Sequence, residues 1–254
     1  MPLIRKTRWI ISIGMMIVST FAYAEEPTTL RILCYNIRNA SGLDNVTNYA
    51  RTAQVILDAK PDVVAIQELD CKTKRSGGKD RLAELAKRTG MTGTFGAAIE
   101  FQGGPYGVGI LSKEKPLATH TVPLPGREEK RVLLIAEFSD YVFFCTHFSL
   151  TAEDRLASVE IITESLSKYA DKPVFLAGDF NSEPTEPPII ELQKHWKTLS
   201  SDGLTFPADE PTIRIDYIFG ANLPTSWTVL DSDVIPEPMA SDHRPIFIQL
   251  KTKP

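Results

Sequence analysis

Apolar and polar positions along the chain change period more than once. "LRILCYNI" (30–37) is a β-rich apolar run, and the segment ending in "ARTAQVILDAK" carries Tyr49, Ala50, Ala53, Ile56 and Leu57 at helical spacing until Pro61 stops it. "DVVAIQE" (62–68) is continuously apolar up to its last two residues, as a strand buried on both faces is, and "DRLAELAKRTG" (80–90) reads as a second helix closed by Gly90. From 93 to 146 the spacing falls to about two. "GTFGAAIEF", "YGVGILS", "LATHTV", "RVLLIAEF" and "YVFFCTHF" are separated there by Gly, Pro or charged turns, which predicts a run of mostly antiparallel strands. "AEDRLASVEIITESLSKYA" (152–170) then places Leu156, Val159, Ile162 and Leu166 on one helix face. "KPVFLAGDF", "TIRIDYIF", "WTVLDSDVI" and "RPIFIQLK" supply four more strands. One open sheet cannot absorb this many strands without splitting, so two packed sheets with helices outside, an α/β architecture, is the economical solution.

Two features of composition alter this picture. Arg5, Lys6 and Arg8 precede an apolar run from Trp9 to about Phe21, and Ala22-Tyr23-Ala24 is a small-x-small cleavage site. Residues 1–24 therefore read as a secretory signal peptide, too short for the ~20 residues of a spanning helix, with cleavage after Ala24 and a secreted or periplasmic product. No second long apolar run follows, and no linker or repeat divides 25–254, so one domain and a monomer are expected. Removing the three leader cations leaves 25 Lys and Arg against 32 Asp and Glu, a net charge of −7. Such a balance argues against general, phosphate-driven nucleic-acid binding. Cys34, Cys71 and Cys145 permit at most one disulfide, and without a C-x-x-C spacing they do not form a thiolate zinc site.

The polar residues that end apolar strands carry the chemistry. Asn36 follows "LCY", Glu68 follows "VVAIQ", His147 follows "FFCT", and Asp179 and Asn181 follow "FLAG"; Asp216 lies within "RIDYIF", and Asp242-His243 precedes "RPIFIQL". Ligands collect at such strand ends in sheet proteins, so one shared crevice is expected. Asn36 alone also fits a simple strand-ending turn, and Asp179-Phe180-Asn181 alone fits a helix cap, with Glu183 as a first-turn helix charge. Glu68 and Asp216 fit a structural role less well, because a carboxylate in an apolar strand needs a cation or donor. Metal-assisted phosphoester hydrolysis uses the whole set. Glu68, with Asn36 and Asp242, suits Mg²⁺ or alternatively Mn²⁺; Asp179 and Asn181 suit the attacking water; Asp216 orients His243; and His147 adds a donor to the phosphate. His120 and His195 read as surface residues.

Taken in order, "YNIR", "AIQELD", "GVGILSK", "THF", "GDFNSEP", "IDYIF" and "SDHRPI" resemble the endonuclease/exonuclease/phosphatase superfamily across residues 30–250. The resemblance implies a four-layer α/β sandwich and a Mg²⁺-dependent phosphoesterase. It places Asn36, Glu68 and Asp242 around metal, Asp179 and Asn181 on water, Asp216 behind His243, and His147 on phosphate. Substrate contacts are expected from Arg38, from Arg131, from Arg75 in the basic loop "CKTKRSGGKDR", and from stacking on Tyr106 in "QGGPYGVG". A compact phosphate ester, such as a phospholipid headgroup or inositol phosphate, is the expected substrate. The alternatives are an extracellular nuclease that uses the basic loop, and a binding protein without turnover.

Overall fold

A computed structural model describes residues 29–252; the leader expected at 1–24 lies outside them. The first strand, β1 (Thr29–Asn36), is followed by a short 3-10 turn (Arg38–Ala40) and helix α1 (Tyr49–Ala59), then β2 (Val63–Asp70), α2 (Arg81–Thr89) and the hairpin β3 (Thr92–Phe101) and β4 (Gly104–Ser112). The second half runs β5 (Ala118–Leu124), β6 (Arg131–Glu137), β7 (Val142–His147), α3 (Ala152–Leu166), β8 (Val174–Asp179), α4 (Pro187–Leu192), β9 (Lys197–Thr198), β10 (Asp216–Ala221), β11 (Thr228–Val234) and β12 (Ile246–Lys251). Each half contains one parallel pair joined through a helix, β1 with β2 through α1 and β7 with β8 through α3. A crossover of that length is what a parallel pair requires. The other pairings are antiparallel.

The strands form two six-stranded sheets, ordered β11-β12-β1-β2-β4-β3 and β5-β6-β7-β8-β10-β9. Between them lies an apolar core that includes Ile32, Cys34, Val63, Ile110, Phe143, Cys145, Phe175 and Ile248. Side chains alternate along β10. Ile218 faces this core, while Tyr217 and Phe219 face an outer layer with Val159, Ile162, Ile189 and Trp196 beneath α3 and α4. Leu33, Tyr35, Val64 and Ile66 face the opposite outer layer under α1 and α2. The result is the expected four-layer sandwich.

Helix ends follow local chemistry. Asn48 and Asp80 accept the N–H groups of Arg51 and Ala83, and Gly90 ends α2 in a left-handed conformation. Two expectations about helix faces fail. Leu57 and Leu156 are exposed, because α1 buries Val55, Ile56 and Ala59, and α3 turns Arg155, Ser158, Val159, Ile162 and Ser165 inward. The expected helix after Pro184 begins later, at Pro187, so Glu183 lies outside it, its N–H bonded to Glu186. All three cysteines are free thiols, with Cys34 and Cys145 in the core.

Candidate active site

Register brings the site together. In the second sheet, His147 on β7 pairs with Asp179 on β8, and Asp179 pairs with Asp216 on β10, so three adjacent strands present three polar side chains at one edge. Gly178 permits this close approach, because a Cβ there would lie 2.3 Å from the Thr146 carbonyl oxygen. In the first sheet, Asn36 pairs with Gln67, and the register of β2 against β4 then shifts between Ile66 and Leu69. This irregularity separates two neighbours. Gln67 turns into the core between the Cys34 and Cys145 sulfurs, while Glu68, in a left-handed conformation (φ 59°), reaches the mouth. Arg38, Asn39, Ala40 and Asn181 also have positive φ, so five non-glycine residues in that costly region cluster around the site.

Asp179 Oδ2 is the point of convergence. The Asn36 side-chain amide donates to it at 3.0 Å, and Nε2 of His147 and of His243 lie 3.5 and 3.6 Å away. Asn36 donates its other amide hydrogen to Glu68 Oε1 at 3.1 Å, so one buried carboxamide bridges the two sheets. Asp216 Oδ2 receives His243 Nδ1 at 3.0 Å and the Thr205 hydroxyl at 2.6 Å. Ser241 Oγ donates to the Asn36 carbonyl oxygen at 2.7 Å and so fastens the Asp242-His243 loop to β1. Neither Thr205 nor Phe206, whose ring packs 4.8 Å from that of His243, stands out in the sequence; Ser241 carries only the weak signal of preceding Asp-His.

Electrostatics separates the two histidines. Burial opposes charge on His243, but Asp216 and then Asp179 overcome it and raise its pKa to about 10. Burial dominates at His147; Asp179 pulls the other way, Arg131 and His243 add repulsion, and the net effect lowers its pKa to about 3. Asp179, Asp216 and His243 also offer ligand atoms within 4.8 Å of one another. The ring of His243 bonds Asp216 and faces Asp179, however, so a protonated imidazole already supplies positive charge there. Glu68 is the better cation ligand. Burial pushes its pKa up, nearby Asp242 adds to the rise, and only the Asn36 amide opposes them among hydrogen bonds. Glu68 and Asp242, near enough to influence each other's charge, are hard carboxylate oxygen donors of the kind a small divalent cation binds.

Several expected roles change. Asn36 both orients Glu68 and holds Asp179, and its Oδ1 already accepts the Arg38 N–H. Asn181 is not extended beside Asp179. Its backbone N–H bonds Asp179 Oδ1 and its side-chain amide donates to the Phe148 carbonyl oxygen, which leaves Asn181 Oδ1 as the acceptor available to water. Arg38, half exposed and 3.5 Å from Asp242, stands at the mouth, within reach of a ligand there. Arg75 does not. It forms two hydrogen bonds to buried Asp70 and covers the rings of Phe101 and Tyr106, because a carboxylate inside the sheet end needs that cation. Tyr106 is correspondingly buried and offers no stacking face. Arg131 is buried against Glu129 and His147 rather than open to substrate. His120 and His195 are exposed.

Residues 33–243 match the Endonuclease/Exonuclease/phosphatase family. The chain belongs to this family. Its members are metal-dependent hydrolases of phosphoesters. "Protein angel" of Drosophila melanogaster is 29% identical over 154 residues, covering 53% of this chain and 43% of that relative, so the chain spans less than half the length of the curated relative it matches. A family structure from Bacteroides vulgatus superposes with a TM-score of 0.73 at 20% identity, over 89% of this chain and 100% of that one. The mannosyl-6-phosphatase of Bacteroides thetaiotaomicron VPI-5482 superposes with a TM-score of 0.69 at 17% identity, over 88% and 100%. At these identities the two structures share its fold.

Proposed function

We propose that the protein is an exported, Mg²⁺-dependent phosphoesterase that hydrolyses a compact phosphate ester by in-line attack of water. The observation that carries this reading is the convergence of Asn36, His147 and His243 on Asp179 Oδ2, beside the Glu68 and Asp242 carboxylates. Asp179, held by the Asn181 N–H, accepts the proton of a water that Asn181 Oδ1 helps to aim. His243, kept charged by Asp216, and His147, through Nε2–H, donate to the phosphoryl oxygens as charge builds there. A Mg²⁺ ion held by Glu68 and Asp242 would neutralise phosphate charge and polarise the ester. Phosphoryl transfer is chiefly a matter of positioning and electrostatics, which fits a site without a Ser or Cys nucleophile.

A compact substrate is supported by the acidic net charge, by Arg38 as the half-exposed cation at the mouth, and by the sugar-phosphate specificity in the name of the B. thetaiotaomicron neighbour. A nuclease remains the second reading because Lys72, Lys74 and Lys79 project from the loop that follows Glu68. A panel of phosphoinositides, phospholipids, sugar phosphates, plasmid and single-stranded DNA, with Mg²⁺ or Mn²⁺ against EDTA, decides between them. We expect EDTA-sensitive turnover of a small ester, abolished in Asp179→Ala with folding retained. Turnover confined to nucleic acid would select the nuclease, and absence of turnover throughout would select a binding protein.

A further inference from the structure

Arg131 is 7% exposed at the start of β6. Its Nη1 lies 2.6 Å from Glu129 Oε1 and 3.3 Å from His147 Nδ1. A guanidinium nitrogen of this kind carries two hydrogens and cannot accept, so one N–H goes to the carboxylate and the other to the ring. A neutral imidazole has one nitrogen that donates and one that accepts. Facing a donor that never loses its proton, Nδ1 must be the acceptor.

We propose that Arg131 is a positioning residue that sets the tautomer of His147, leaving Nδ1 unprotonated and placing the ring's proton on Nε2, which faces Asp179. The assignment rests on the phosphoesterase reading for its purpose, since an Nε2 donor is what a phosphoryl oxygen beside Asp179 needs. The same ring in the other tautomer would present a lone pair there and repel that oxygen. Asp179 also favours an Nε2 proton, but at 3.5 Å it is a loose partner. It is also the group that takes up water in the reaction, whereas Arg131 holds the far side of the ring independently.

The surrounding loop keeps Arg131 in place. Glu129 fixes the guanidinium, and neighbouring Glu128 accepts the Ser149 hydroxyl, the Leu150 N–H and the Thr151 hydroxyl at 2.6, 2.7 and 3.0 Å. Segment 128–131 is thereby tied both to the His147 ring and to the chain that leaves β7. Burial holds the ring neutral, with a pKa near 3, so a tautomer rather than a charge state is what Arg131 selects.

Long-range ¹⁵N–¹H correlation spectra of the histidines in the EDTA-treated full chain at pH 7, assigned with His147→Gln, test this directly. We expect wild-type His147 to carry its proton on Nε2 and Arg131→Met to show a mixture of tautomers. With the small ester that the substrate panel selects, Arg131→Met should lose about tenfold to a hundredfold in kcat, with KM changed much less. A wild-type His147 protonated on Nδ1 overturns the proposal without recourse to the variant, as does an unchanged tautomer in a folded Arg131→Met. These spectra need no substrate. The expected tautomer in a chain without turnover would therefore support the positioning role and count against the phosphoesterase reading alone.

Discussion

His147 and His243 stand on opposite sides of Asp179, both buried, with Nε2 at nearly equal distances from the same oxygen. One is held neutral and the other charged. The difference lies behind the rings, where Nδ1 of His243 meets the Asp216 carboxylate and Nδ1 of His147 meets the Arg131 guanidinium. Burial lowers both pKa values, and it is overcome only at His243, where the Asp216 carboxylate behind the ring, with Asp179, restores the charge. The site gains one cationic and one neutral donor aimed at the same place. It also avoids stacking two positive rings around a single carboxylate.

The strongest way to break this contrast is Asp216→Asn, which keeps the volume and removes the charge. His243 should then lose its proton near neutrality, and kcat/KM should fall about 10²- to 10⁴-fold, with the larger loss at alkaline pH. An unchanged pH–rate profile would show that Asp216 does not support the charge on His243.

Stability against pH in the EDTA-treated protein should sharpen the contrast, because the two rings act on opposite limbs. His243 has a folded pKa of about 10 against an ordinary 6.5, so its stabilisation is complete below 6.5 and is lost as pH rises toward 10. His147 has a folded pKa of about 3, so the unfolded chain binds a proton that the native ring refuses, and stability falls as pH drops from 6.5 toward 3. Thermal melts should flatten on the acidic limb in His147→Gln and on the alkaline limb in His243→Gln. The reverse assignment of limbs would overturn the reading.

The smallest expected effect belongs to Phe206→Leu, which removes a ring contact made to His243. Aromatic contacts contribute about 0.5–1.5 kcal/mol beyond area burial, so kcat should drop a fewfold with His147 spectra unchanged.

The strands and helices were legible because each buries a face with its own period. The site residues were legible because polar groups at the ends of apolar strands are costly unless used, as Glu68, Asp179 and Asp216 illustrate. Backbone exceptions were not. Nothing in "IQEL" marks the irregularity that sends Gln67 inward and Glu68 outward, and nothing in "RNA" marks a left-handed turn, since tertiary bonds such as Asp70 N–H to Asn39 Oδ1 impose it. Arg75 and Arg131 turn inward for a related reason. Whether a cation at a strand end meets substrate or an internal partner depends on residues such as Asp70 and His147, whose position relative to it only the folded sheets determine.

The Asn36 carboxamide has a consequence for assembly. Asn36 and Glu68 belong to one sheet and Asp179, Asp216 and His147 to the other, while His243 hangs from the first sheet and docks on the second. Neither sheet contains a working fragment of the site. On the proposed phosphoesterase reading, a nascent or partly folded chain would be chemically silent and hydrolysis would begin only when the halves meet, so catalytic competence would itself report that the sandwich has closed.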